Sequence, residues 1–483
     1  MSGLGAELEA FARVFSKEIA EENAAVFAGA GMSRPAGYVD WKELLRSTAE
    51  ALGLNVDQET NLVALAQYYC NERCGQRSGL TRVLLEEFTR GAEPTENHRI
   101  LARLPITTYW TTNYDKLIEQ GLEQAGKRAD VKHTVPQLAF TKPARDAVVY
   151  KMHGDIEHPA SVVLIKDDYE RYHVTRHPFV TALTGDLVSK TFLFLGFSFT
   201  DPNLDYVFSR IRATYDENMR THYCFMKRLV LGDFGGDKAL FEYRQRQQHF
   251  FMKDLQRFNI ETLLVDTYGQ ITEVLQRLER LYVSKSVLIS GAAHQWGDWP
   301  TERARTFVRG LSRTLVDKGY RLVSGFGFGV GGAVITGALE HIYATKRGKM
   351  EDQLVLRPFP QEPVSGEEWK ATAKRYREDM ADYAGAAVFL FGNKLKEGEV
   401  VPSDGVEQEF EIAHAKGLAV IPVGATGFVA GKLWKQVTDD FATYYPKRTE
   451  EFRALFRTLG DAEATPDTLI SAIAGVLELW SQC

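Results

Sequence analysis

Ala24-Ala25-Val26-Phe27-Ala28-Gly29-Ala30-Gly31-Met32-Ser33 is the stretch that decides the fold. A short, unbroken apolar run reads as a strand buried on both faces, which is the habit of parallel sheets. The Gly-x-Gly turn that follows brings backbone close to a ligand where a side chain would block it. A helix opening there offers free N–H groups to a phosphate. The turn alone has a plain alternative, a tight strand-to-helix connection.

Working outward, strand-like and helical segments alternate along most of the 483 residues, which predicts an α/β fold. Strands are expected at 106–111, 147–152, 161–165, 191–197, 222–226 and 261–265. Residues 41–104 break the rhythm, with helical spacing throughout and no good strand. They read as a helical insert that caps the carboxyl ends of the strands, where ligands bind in open α/β sheets. The pattern restarts after Val283 with strands expected at 286–290, 320–324, 354–357, 386–391 and 418–423. A second glycine turn, Ser324-Gly325-Phe326-Gly327-Phe328-Gly329-Val330-Gly331-Gly332, sits in this half. Two Rossmann-like domains are therefore expected, 1–283 and 284–483.

Composition is that of an ordinary globular protein, with 44% apolar and 25% charged residues. The net charge of −6 supplies no basic footprint for nucleic acid. No apolar run is long enough for a membrane helix, and residues 1–20 read as an amphipathic helix, not a secretion signal. Ser2 does not fit N-myristoylation. The four cysteines (Cys70, Cys74, Cys224, Cys483) form no CxxC pair. That points to a cytoplasmic protein without a four-cysteine zinc site, so no metal is expected. Cys70 and Cys74 are read as sharing a helix face.

Polar motifs follow the strands of the first half in a fixed order. They are Thr111-Thr112-Asn113-Tyr114-Asp115, His153-Gly154-Asp155 and Gly196-Phe197-Ser198-Phe199-Thr200-Asp201-Pro202-Asn203. Each has a bland reading: Asn113 suits a helix N-cap, and a histidine at a strand end is often structural. Together with the Gly-Ala-Gly-x-Ser turn they resemble the sirtuin family over about residues 10–280. The resemblance implies NAD+ as substrate. Asn113 would contact the nicotinamide ribose and position water, and His153 would be the general base. Asp115 would orient the asparagine loop, and Gly29, Ala30, Gly31, Ser33, Ser198 and Asn203 would complete the NAD+ contacts. Sirtuin deacylases carry a four-cysteine zinc module after the His-Gly, and this chain has none. That disfavours peptide deacylation and leaves NAD+ cleavage. Protein deacylation, ADP-ribosyl transfer and a non-enzymatic nucleotide-binding scaffold remain as alternatives.

In the second half, Ser290-Gly291 ends the first strand, and Gly325, Gly327 and Gly329 read as a phosphate cradle, or else as a flexible loop, without a general base beside it. Arg377 suits a bidentate phosphate contact, or else it is a solvated helix residue. Lys394 follows a strand, and Glu409 is either a ribose contact or a first-turn acid. This half resembles the SLOG family of nucleotide sensors, and the whole layout resembles the NADase effectors of Thoeris anti-phage defence. The resemblance implies activation by a cyclic ADP-ribose isomer made by a TIR-domain protein, with Arg377, Lys394 and Glu409 as ligand contacts. It also implies a homotetramer.

Overall fold

The computed structural model describes residues 4–199, 201–215, 220–345, 353–359 and 368–481. Residues 1–3 of the expected N-terminal helix, Ser2 among them, and Thr200 and Cys483 of the sequence motifs lie outside the described residues. The chain forms two compact units, Met1–Glu279 and Arg280–Cys483.

The first unit is built on a seven-stranded parallel sheet. Its strands are β1 (Ala24–Ala28), β2 (Thr108–Thr111), β3 (Ala129–Lys132), β4 (Ala147–Lys151), β5 (Thr191–Leu195), β6 (His222–Lys227) and β7 (Ile260–Val265). They lie in the order β3-β4-β2-β1-β5-β6-β7. All five residues of β1 and of β5 are buried, as two-faced burial in the middle of a parallel sheet requires. The chain leaves β1 toward β2 on one side and returns on the other with β5. The strand order thus reverses at the ends of β1 and β5, the switch point at which open α/β sheets generally bind ligands.

Residues 41–104 hold five helices and no strand, the last being Glu96–Arg103. Leu44, Leu65, Tyr69, Leu80 and Leu84 of the insert pack with Tyr114, Val162, Leu164 and Ile165. The insert therefore presses on the two loops that carry Asn113 and His153. This explains one departure from expectation: Ser161-Val162-Val163-Leu164-Ile165 is not a strand. Its apolar side chains are buried under the insert, and Asp168 Oδ2 accepts the N–H groups of Leu164 and Ile165 (2.9 and 3.0 Å). The edge position goes instead to β3, whose buried Lys132–Asp130 ion pair (2.9 Å) breaks the apolar pattern. Cys74 lies beyond helix Leu62–Glu72 with a left-handed φ of 55°, so it does not share a helix face with Cys70.

The second unit has a five-stranded parallel sheet of β8 (Ser286–Ala292), β9 (Arg321–Ser324), β10 (Leu354–Leu356), β11 (Ala386–Phe391) and β14 (Ala419–Pro422), with a small hairpin of β12 (Asn393–Lys396) and β13 (Glu399–Pro402). The order β10-β9-β8-β11-β14 puts its switch point between β8 and β11. Helix Thr301–Asp317 shows why the layers close. Ala304, Phe307, Val308, Leu311 and Leu315 recur at helical spacing and are all buried.

One buried charge ties the first sheet's edge together. Lys151, the last residue of β4, is fully enclosed. Its ammonium donates to the carbonyls of Tyr114 (3.1 Å) and Asp115, to Glu119 (3.0 Å) and to Asp155. Burial alone would strip its proton, but Glu119 and Asp155 outweigh that and raise its pKa. Burial raises the Glu119 carboxyl, whereas Lys151 overcomes the same effect at Asp155 and lowers it. Asp155 is therefore the standing counter-ion. Replacing Lys151 with methionine leaves that buried carboxylate without its ammonium, with the Glu157 N–H (2.8 Å) as its remaining donor, at a cost of about 3–5 kcal/mol. The expected result is a clear drop in the first thermal unfolding transition of the full chain. An unchanged transition would show that the ammonium holds nothing.

Acid should loosen the same unit. His222 Nδ1 accepts the Phe192 N–H (3.1 Å), which requires the neutral ring, and burial depresses its pKa to about 4. His98 is likewise pushed to about 4 by burial. Because both folded values lie below the unfolded value near 6.5, the unfolded chain binds more protons between about pH 6.5 and 4. Stability is complete above that window and falls through it, by on the order of 3 kcal/mol per histidine. Unfolding midpoints measured from pH 7 to 4 should fall, and less steeply in His222→Gln. Identical slopes would contradict the assignment.

Candidate active site and a second crevice

Register brings the first-half motifs to one edge. Thr111 pairs with Lys151 across β2 and β4, and Ala28 pairs with Thr111 and Leu195. Two residues further on, four adjacent strand ends present His153, Asn113, Ala30 and Phe197 at one level. The glycines here let two strand-end loops lie against each other. A Cβ on Gly29 would lie 2.5 Å from Gly196 O, and one on Gly31 would lie 2.9 Å from Gly196 Cα. Gly196 itself has φ +63° and sits against Met32 N, where a Cβ would come within 2.1 Å. The loops after β1 and β5 thus pack backbone on backbone, fastened by Gly29 N–H to Leu195 O and Gly31 N–H to Gly196 O (both 2.9 Å). The turn opens only a one-turn helix, Ala30–Ser33.

Asn113 is not an N-cap. Its amide nitrogen donates to Gly29 O and to Ser33 Oγ (both 3.0 Å), and its backbone N–H donates to Thr111 Oγ1. A carbonyl can only accept, so the nitrogen must face Gly29, and both of its hydrogens are used. What remains is Oδ1, a fixed acceptor. Ser33 passes its own hydrogen to Asp115 Oδ2 (2.7 Å), and Asp115 Oδ1 takes the Leu117 N–H, capping the helix instead. Asp115 therefore orients Asn113 through Ser33.

His153 is buried, with its ring edge-on to Tyr169 and Tyr172. Gly154, at φ +97°, turns the chain back so that Val163 N–H reaches His153 O (2.8 Å). Burial lowers the imidazole's pKa, against the pull of Asp201, so the ring rests neutral. Its Nε2 has no hydrogen-bond partner among the described residues and lies 3.4 Å from Asp201 Oδ2. Asp201 Oδ1 caps helix Pro202–Tyr215 by accepting the Asn203 N–H (2.9 Å). Asn203 is buried, and its Nδ2 is also without a partner. The Asp201 carboxylate thus stands by one of these open atoms, His153 Nε2, and holds the backbone of the residue that carries the other. Ser198 sits exposed on the β5 loop. Lys151, Asp201 and the Ser33 bridge escaped sequence reasoning about function. The available signal for Asp201 was its position before Pro202, where acids cap helices.

The second crevice repeats the scaffold with other chemistry. Gly327 packs against Gly291 O, where a Cβ would lie 1.9 Å away, Gly329 (φ +75°) against Ala293 O, and Gly325 against Met380 Sδ. Ser290, within β8, donates to Glu409 Oε2 (2.6 Å). Arg377 Nε lies 3.8 Å from Glu409 Oε1, too far for a hydrogen bond, and is buried without a partner. The guanidinium rests over the Phe359 ring at 4.7 Å. Burial raises the Glu409 carboxyl, opposed by Ser290 and Arg377. Ser290, Arg377 and Glu409 thus converge. Lys394 is held apart in an ion pair with Asp404, part-exposed at the hairpin. Asn393, unnoticed in the sequence, is fully buried and holds the loop after β8 through His294 N–H, Gln295 N–H and Gln295 O. Among the described residues, no cluster of three or more His, Cys, Asp or Glu could hold a metal ion, and no helix is long and apolar enough to cross a membrane.

Comparison with known proteins agrees with this division. Residues 107–249 match the SIR2-like domain model, and residues 270–479 match the Sir2- and TIR-associating SLOG family. The NAD(+) hydrolase ThsA of Bacillus cereus (strain MSX-D12) is 50% identical over 98% of each chain. Its namesake in Acinetobacter baumannii (strain 532279) is 46% identical over 96% of this chain and 97% of that one. The one in Cytobacillus dafuensis is 44% identical over 98% and 97%. With an α/β unit of each kind in the same order and about half of all residues shared end to end, the chain belongs to the family of the NAD(+) hydrolase ThsA.

Proposed function

We propose that the first unit hydrolyses NAD+ to nicotinamide and ADP-ribose, and that a cyclic ADP-ribose isomer bound in the second unit's crevice switches it on. The observation that carries the reading is the pairing, at one sheet edge, of a fixed acceptor on Asn113 with a buried, unpartnered His153. Breaking the C1′–N bond sends its electron pair to the pyridinium nitrogen and leaves an oxocarbenium-like ribose. The leaving group is already cationic, so no strong acid is needed. Asn113 Oδ1 accepts from a ribose hydroxyl or the attacking water. His153, resting neutral, takes the proton that water loses as its oxygen bonds to C1′. Asn203 Nδ2 donates to the adenosine half, and Ser198 lines its approach. Helices 41–104 and the loop they press down exclude bulk water.

In the second crevice, the open Nε–H of Arg377 meets a phosphate, joined by Lys394 once it leaves Asp404. Ser290 and Glu409 meet ribose hydroxyls. Shifting a silent enzyme from 1% to 99% active needs ~10⁴-fold preference for the active state, about 5.5 kcal/mol. A multiply charged nucleotide clamped by two cations is suited to supply it. The signal comes from a TIR-domain partner, and the enzyme acts as a homotetramer in anti-phage defence.

Asn113→Ala and His153→Ala should each lower NAD+ consumption by about 100-fold or more. Wild-type turnover in either would overturn the site. Arg377→Ala should lose its response to cyclic ADP-ribose isomers while keeping the unfolding profile. Calorimetry showing unchanged affinity for an activating isomer would overturn the sensor assignment.

A further inference from the structure

We propose that Asp201 is a positioning residue for His153, holding the charge the imidazole gains when it takes the proton from ribose or water. The inference deepens the hydrolase reading and rests on it. Its two carboxylate oxygens are divided between tasks. Oδ1 accepts the Asn203 N–H (2.9 Å) and faces the Leu204 N–H (3.3 Å), fixing the group at the start of helix Pro202–Tyr215. Oδ2 stands 3.4 Å from His153 Nε2. The carboxylate's position is therefore set by the helix and not by the histidine, so it is in place before any proton moves. Its side chain is about one-tenth exposed, which leaves its field little screened.

The other groups around the ring cannot substitute for it. Tyr169 and Tyr172 stand roughly perpendicular to the imidazole, and burial pushes both phenols up, so neither ionises. Arg176 acts against an imidazolium, and its guanidinium is occupied by the carbonyls of His133, Met152 and Ser161. Asp168 contributes from further off and is paired with Arg77 (2.9 Å). When an O–H bond breaks and an N–H bond forms on His153, the proton ends on the imidazole, and Asp201 Oδ2 is the acid oxygen that faces the new positive charge.

Asn and Ser both cap helices as Asp does, so Asp201→Asn and Asp201→Ser remove the charge and keep the cap. Each is measured in the full chain, with NAD+ as substrate, alone and with cyclic ADP-ribose or its glycosidic isomers supplied singly. His153→Ala runs in parallel. The expected result in both Asp201 variants is a 10- to 100-fold fall in kcat, part of the ~10²–10⁴ that a general base supplies. KM should stay within about threefold and the unfolding midpoint near that of the unsubstituted chain. The acid limb of kcat/KM should move to lower pH, because the ring loses the partner that favours its protonation. A merely structural role leaves that limb in place. Unchanged kcat and an unmoved limb, with His153→Ala inactive, would overturn this inference alone. Full activity in His153→Ala, or no NAD+ turnover by the unsubstituted chain, would overturn the hydrolase reading beneath it.

Discussion

The buried ammonium of Lys151 is the constraint on which the first unit depends. It sits at the end of β4 and reaches sideways under β2, binding the carbonyls of the Asn113–Asp115 loop and the carboxylate of Asp155. Asn113 and His153 are on neighbouring strands, but strand pairing ends at Thr111 and Lys151. Beyond that point two backbone bonds, Met152 N–H to Thr111 O and Ile156 N–H to Tyr114 O (both 3.1 Å), continue the contact. The charge buried between the two loops reinforces them, and its desolvation cost is met by ionised and carbonyl partners on both sides. Tyr114, whose hydroxyl donates to Val163 O (2.6 Å), then locks the same loop to the segment beneath the helical insert. The asparagine, the histidine and the lid are in this way one mechanical piece.

The two crevices share their construction and differ in what they leave unsatisfied. In both, glycines let a strand-end loop lie directly on its neighbour across the switch point, Gly31 on Gly196 in one and Gly327 on Gly291 in the other. In the first, the polar groups left open are an acceptor on Asn113 and the Nε2 of a neutral histidine. Those suit bond breaking, which needs a proton acceptor. In the second, the open group is a guanidinium N–H beside a carboxyl and a hydroxyl. Those suit holding an anionic nucleotide unchanged. Shared scaffolds with different open side chains are how one fold comes to host different chemistry.

Much of this was legible in the amino-acid order. The run from Ala24 to Ala28 announced a central parallel strand, and the strand-end positions of Asn113 and His153 announced one edge. The helical insert was visible because 41–104 lacks any two-residue alternation. Other features were hidden for physical reasons. Lys151 reads locally as a solvated lysine at a strand end, and only tertiary structure surrounds it with acids. Asp201 shows its capping role in sequence, but its second oxygen's neighbour lies on another strand. Residues 161–165 are apolar enough for a strand, yet they are claimed by the insert. The glycine turns stand out in the sequence, but the loop-on-loop packing that their missing side chains permit does not, because the partner backbone comes from another strand end. Lys394 follows a strand as a ligand contact would, and its pairing with Asp404 on the next helix is invisible in the local sequence.

The central claim is that the first crevice delivers water, and no other acceptor, to the ribose of NAD+. The most direct test is a product ledger for the full chain incubated with isotope-labelled NAD+ and a cyclic ADP-ribose isomer. The account predicts nicotinamide and free ADP-ribose in equal amounts, with no label on protein. ADP-ribose retained on the chain or on an added protein, or nicotinamide released without matching free ADP-ribose, would contradict it.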